Sequence, residues 1–202
     1  MMSRTRHFLL SFAAAGLILG TGIVASDVLA ADTKFGKPPA ATTTSPASGR
    51  PAYNPHIGSS TGLPIPRFVS LRADAVNLRV GPGDQYPILW VYHRVGLPVE
   101  VLREFDVWRL VVDSDGVKGW MHEATLMGSR HFVIIGKTPE TLYRQPAKDA
   151  PARARLMPGV VGALERCDAA SDWCHVRVDH LAGWLKRSEF WGTLPGEKIP
   201  DK

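Results

Sequence analysis

From Arg67 onward the chain alternates short apolar runs with turn residues. The runs FVSL, VNLRV, ILWVYH, PVEVL, WRLVV and VKGWM are separated by Gly81-Pro82-Gly83, Gly96 and Asp113-Ser114-Asp115-Gly116. Such runs, rich in Val, Ile, Trp and Tyr and punctuated by Gly, Pro and Asp, predict strands. No window holds a sustained helical stripe. The nearest is HEATL after Trp120, long enough for one helical turn. The pattern predicts an all-β architecture of short strands. Strand alternation nominates Leu78, Val80, Val99, Val101, Leu110 and Val112 for the core. DSDG between WRLVV and VKGWM predicts a hairpin.

The segments before Arg67 have other patterns. Arg4 and Arg6 precede an apolar stretch from Phe8 to Ala25, and Val28-Leu29-Ala30 offers a small-x-small cleavage site before Ala31. Residues 1–30 are therefore expected to be a secretory signal peptide. An uncleaved membrane anchor is the alternative, because roughly 18 apolar residues can span a bilayer. Residues 31–66 are dominated by Pro, Ala, Thr, Ser and Gly without apolar periodicity. They are expected to be a disordered, partly extended spacer.

The chain also repeats itself. Leu78 aligns with Leu142, Gly96 with Gly159, Trp108 with Trp173, Gly119-Trp120 with Gly183-Trp184 and Gly128 with Gly192. Two copies of about 60 residues imply two small domains in series rather than one large fold. The expected boundaries are 67–130 and 131–194, with 195–202 as a C-terminal tail. One reading has the two copies packing through Phe132, Ile134 and Ile135.

Composition narrows the partners. Losing residues 1–30 removes Arg4, Arg6 and Asp27 and takes the formal charge from +5 to +4. Basic and acidic side chains balance over 67–130 and nearly balance over 131–202. A nucleic-acid binder concentrates its cations on one face, so no nucleic-acid partner is expected. Once the signal is cleaved, no membrane contact is expected either. Cys167 and Cys174 are the two cysteines. Export favours a disulfide between them, with two buried thiols as the alternative.

One set of residues carries a resemblance. NLRVGPG, the glycine closing a long loop, VEVL, a tryptophan, then GVKGWM with a hydrophobic residue six positions after its tryptophan, resemble the bacterial SH3 (SH3b) family over residues 69–128. The second copy keeps the loop glycine, both tryptophans and the Gly-Trp pair, but has TLYRQPA in place of NLRVGPG. It is a degenerate copy. The resemblance implies two tandem SH3-like β-barrels in a periplasmic or secreted protein. It implies a non-catalytic envelope-binding module whose ligand is peptidoglycan, through its peptide stems, or an envelope peptide. A protein–protein adaptor with no wall affinity is the alternative.

NLRVGPGDQYPIL is not a phosphate loop, since it lacks the Lys and Ser/Thr and no helix follows. The same stretch is expected to enter the barrel's long first loop. His93, His122, His131, His175 and His180 form no recognisable catalytic motif. No enzyme activity, cofactor or metal site is expected. The aromatics are the better candidates, because Trp and Tyr join flat apolar faces to a polar edge. Tyr86, Tyr92, Trp108 and Trp120, with Arg79 or Arg94, are the expected ligand-binding residues. Partial burial in the core is the competing role for Trp108 and Trp120.

Overall fold

The computed structural model describes residues 54–201. The expected signal peptide and the spacer up to residue 53 lie outside the described residues. The first barrel contains β1 (Arg67–Leu71), β2 (Val76–Arg79), β3 (Ile88–Tyr92), β4 (Pro98–Phe105), β5 (Trp108–Val112), β6 (Lys118–His122) and β7 (Leu126–Met127). The second contains β8 (His131–Ile134), β9 (Glu140–Tyr143), β10 (Ala152–Leu156), β11 (Val161–Cys167), β12 (Trp173–Val178), β13 (Leu181–Lys186) and β14 (Phe190–Trp191). Each forms one seven-stranded sheet. The orders are β3-β2-β6-β5-β4-β1-β7 and β10-β9-β13-β12-β11-β8-β14, the same order written twice. HEATL contributes a single 3-10 turn at Glu123–Thr125.

The repeated glycines show why the copies fold alike. A Cβ on Gly119 would lie 2.6 Å from Leu78 Cγ and 2.8 Å from the Arg79 carbonyl. A Cβ on Gly183 would meet Tyr143 O at 2.6 Å and Leu142 Cγ at 2.8 Å. In each barrel the strand carrying the Gly-Trp pair lies against β2 or β9 too closely for a side chain. Gly96 and Gly159 share a positive φ, 79° and 81°, where the chain turns into β4 or β11.

Leu71, Val76, Leu78, Val99, Val101 and Met121 fill the first core, and Phe132, Ile134, Leu142, Leu164, Val176 and Leu185 the second. Two expected core residues lie elsewhere. Val80 is 54% exposed, just past the end of β2. Leu110 faces away from the core because Val101 pairs with Val111, which puts Val111 inside. Leu110, Val111 and Val112 are all apolar, so alternation alone could not choose the phase. Phe132 and Ile134 belong to the second core rather than to a seam between barrels, and Ile135 is exposed. The seam is instead made by Phe68 against Trp191, edge-on at 5.0 Å, and by Ser70, whose Oγ lies 3.0 Å from His131 Nδ1 at the start of β8. The Arg130 guanidinium lies over Phe68 and pairs with Glu197 at 2.5 Å.

The two barrels close the same hairpin with different chemistry. Glu104 faces Arg109 across β4 and β5, and at the corresponding place Cys167 faces Cys174 across β11 and β12. The expected disulfide is present, with Cα atoms 4.4 Å apart. The flanking segments dock at these two positions. Residues 54–66, which the sequence pattern assigns to the spacer, pack on the first barrel. There the Glu104 carboxylate accepts from the Ser60 and Thr61 amides, both at 2.9 Å, Thr61 Oγ1 at 2.7 Å and Arg67 Nη2 at 2.6 Å. Gly58 sits so close that a Cβ there would run into that carboxylate. In the second barrel, Ile199 from the expected tail is buried and exchanges two backbone hydrogen bonds with Cys167, at 3.0 and 2.9 Å.

Burial alone would push the Glu104 carboxyl up, but the donors from Thr61, Arg67 and Ser60 outweigh it and hold it down at about 2. Unfolding returns it to its ordinary 4.5. The stability from this charge is therefore fully present above about pH 4.5 and lost as pH falls towards 2. A series of denaturant melts should show this acid-limb slope, and Glu104→Gln should flatten it. Glu104→Ala leaves Arg109 buried without that carboxylate and is expected to cost about 3 kcal/mol. Cys167→Ser with Cys174→Ser should cost about 2 kcal/mol, given the short loop that the bond closes; calorimetry of the oxidised and double-serine proteins checks it.

Candidate functional site

Strand alternation gives β5, β6 and β2 a second face, directed away from the core. Cross-strand pairing brings Arg79 beside Trp120, Trp120 beside Leu110, and Trp108 beside His122. Trp108 and His122 meet edge-on at 5.3 Å, and the Arg103 guanidinium lies 5.6 Å from the Trp120 ring. Beside them is a depression of about 180 Å³, lined by Asn77, Arg79, Asp84, Trp108, His122 and Thr125 among others.

The structure brings part of the expected set together. Arg79, Trp108 and Trp120 share this face. Arg79 also donates to the carbonyls of Asp84 at 3.0 Å and Tyr86 at 2.8 Å, which anchors the loop after β2. Tyr86 is partly exposed, and its ring packs on Gly81, where a Cβ would lie 2.5 Å from it. Gly81 is needed for this close contact, and Gly83 lies against the Gln85 side chain; neither serves a left-handed turn, since neither has a positive φ. Trp108 and Trp120 keep only 7% of their surface exposed. Tyr92 points the other way. Its ring is in the core and its hydroxyl donates to the Asp113 carboxylate at 2.6 Å. Arg94 is exposed at the far end of the barrel, towards Gly159.

The second barrel carries the corresponding face in a more open form. Tyr143 stands in place of Arg79, Trp184 in place of Trp120, Trp173 in place of Trp108, and Lys186 in place of His122. Trp173 and Trp184 are partly exposed. Arg166, in register with Arg103, lies 5.3 Å from the Trp184 ring, and Lys186 lies 5.2 Å from the Trp173 ring. Tyr143 meets Trp173 edge-on at 5.5 Å, and His175 meets Trp184 at 5.1 Å. Glu165 pairs with His175 at 2.9 Å and Arg177 at 2.5 Å. A cation over an aromatic ring is attracted to its negative face. Here that attraction holds charged groups at the edge of flat apolar surfaces. The face can meet a ligand with carboxylates beside an apolar or sugar-like plane. Cys174 and His175, adjacent in sequence, face the core and this surface respectively.

Sequence reasoning placed the site in the first copy because that copy keeps the family-like turn. The signal for the second face was the repeat itself, with Trp173 and Trp184 aligned with Trp108 and Trp120 at a spacing one residue shorter. A larger cavity, about 650 Å³, lies instead along the seam between barrels and includes Leu63, Phe68, Met127 and Leu194. Its cations are mostly engaged internally: Arg67 and Arg109 with Glu104, Arg109 also with Glu123, and Arg130 with Glu197. On the tryptophan face of the second barrel Arg166 is also paired, with Asp201 at 3.2 Å, but that pair is more exposed than those of the seam and exchanges more easily for a ligand carboxylate, so the tryptophan faces are the better candidate.

Burial, together with the hydrogen bond to Asp113 and the nearby charges of Asp113 and Asp115, pushes the Tyr92 phenol above its ordinary value of 10.0. A raised value in the folded state means stability fully present below about pH 10 and lost as pH rises beyond it. Alkaline unfolding of the protein and of Tyr92→Phe checks this; the variant should lose the alkaline slope.

A model of the family described as "Bacterial SH3 domain" matches residues 72–128 and again 136–192. No curated protein matches the chain. Among solved structures, NlpC2 from Trichomonas vaginalis is similar at 10% identity and a TM-score of 0.30, covering 62% of this chain and 48% of that one. NlpC1 from Trichomonas vaginalis is similar at 10% identity and a TM-score of 0.30, covering 66% and 48%. The chain thus spans about half the length of these structures. A likeness this distant carries no argument about activity or ligand.

Proposed function

From a chain that belongs to the bacterial SH3 domain family, present in two copies, we propose a non-catalytic binding module of the cell envelope. Its ligand is the peptide and sugar surface of peptidoglycan. The observation that carries this reading is the face repeated on both barrels, where a cation lies over each tryptophan of the Gly-Trp pair. The rings supply flat area for sugar or apolar side chains. Arg166, Lys186 and Arg103 supply charge for the carboxylates of stem peptides. The second barrel is the principal site because its rings are the more exposed. The first contributes through Tyr86 and the Arg79 loop.

Export to the periplasm or beyond is part of the same proposal. The disulfide supports it, because such bonds persist in oxidising compartments.

Co-sedimentation with purified peptidoglycan tests the reading. The protein should pellet with the wall at low salt and be released as salt rises. Trp184→Ala and Arg166→Ala should each weaken binding about tenfold, a typical loss of about 1–2 kcal/mol at an aromatic or charged contact. Tyr86→Ala should weaken it less. Tyr92→Ala is the control for misfolding, since its ring is in the core. A protein that stays in solution with the wall at low salt sinks the proposal.

A further inference from the structure

The same edge strand differs sharply between the two barrels. β3 and β10 each close one side of their sheet, next to β2 and β9. Each has a bulge at its second residue, Leu89 in β3 and Arg153 in β10, which puts the two strands in register. Ile88, Leu89, Trp90 and Val91 thereby correspond to Ala152, Arg153, Ala154 and Arg155.

An exposed sheet edge offers free backbone groups to another chain, and proteins blunt such edges with charge. The second barrel does this with Arg153 and Arg155. The first does the reverse: Ile88 is 48% exposed, Leu89 50%, Trp90 60% and Val91 37%. Val80 and Tyr86 extend the patch, at 54% and 39%. One barrel guards its edge and its twin leaves it apolar, so the difference belongs to this strand and not to the fold.

We propose that two copies of the chain associate through this patch, their β3 strands antiparallel about a two-fold axis near Trp90. A two-fold contact is self-complementary by construction. Opposed in this way, Leu89 of each copy meets Val91 of the other, and Trp90 meets Trp90. The ends of the strand match in charge as well. Asp84, whose side chain is 85% exposed although it also lies 3.4 Å from Arg79, precedes β3, and the exposed Arg94 follows it. Antiparallel pairing brings each copy's acidic end to the other's basic end. The six residues expose roughly 600 Å² per copy, or about 1,200 Å² for the pair, which reaches the range of specific interfaces. The bulge at Leu89 limits regular ladder bonding, so side-chain burial is the main contribution.

Sedimentation velocity over a wide concentration range tests the proposal. The full-length chain is expressed with its N-terminal segment, so that the cell processes it in its own way. The unsubstituted protein should shift from one copy to two as concentration rises. Leu89→Arg with Val91→Arg, which transplants the residues of β10 into β3, should remain a single copy at every concentration, with an unchanged melting curve at low concentrations where the unsubstituted protein is also a single copy. Trp90→Cys provides a second readout, since mild oxidation should join two copies at that position. A protein that stays a single copy throughout, an assembly that survives the double arginine substitution, or the absence of the Trp90→Cys cross-link each overturns the proposal.

Discussion

Each barrel must hold together one hairpin near its tip, β4–β5 or β11–β12, and much else hangs on the pair that ties it. In the first barrel a buried carboxylate faces a buried guanidinium, and in the second two sulfurs are bonded. A barrel of this size has a small core, so a cross-strand tie at an open end matters more than it would in a larger domain. The tie also decides where the flanking chain goes. Glu104 needs donors, and the Ser60–Thr61 amides supply them. Cys167 needs none for its side chain, so Ile199 docks there through backbone bonds and apolar burial instead.

That substitution shows how one fold tolerates two kinds of chemistry. A buried ion pair depends on every partner staying in place and on the carboxyl staying charged. A disulfide depends on neither, but requires an oxidising compartment. The barrels have diverged similarly on their surfaces. The second has opened its tryptophan face and charged its edge strand, while the first has buried Trp108 and Trp120 and left its edge apolar. On the proposals above, the second barrel carries most of the ligand contact and the first carries the self-contact, two roles that one small barrel has little room to combine.

Much of this organisation is legible along the chain. Strand-sized apolar runs, the recurring Gly-Trp pair and the matched loop glycines expose two β units without reference to structure. Asp113 reads correctly as a turn residue, and its Oδ1 accepts from the amides of Asp115 and Val117. The site is less legible. Tyr92 looks like a loop aromatic free to meet a ligand, yet it ends β3 facing inward and bonds to Asp113. Arg79 looks free to bind a carboxylate, yet it holds the Asp84 and Tyr86 carbonyls. In each case the side chain's type is plain in sequence, but its direction depends on a bulge or a pairing register.

Sequence alone determined the fold class, the duplication and the candidacy of the disulfide, because these depend on local spacing and residue type. Tertiary structure decided which of two faces each residue occupies. On β5, three consecutive apolar residues suit either phase, and the pairing of Val101 with Val111 selects one. It also decided that residues 54–66 and Ile199 join the barrels. Their burial rests on contacts more than 30 positions away in sequence, and no local pattern encodes partners at that distance.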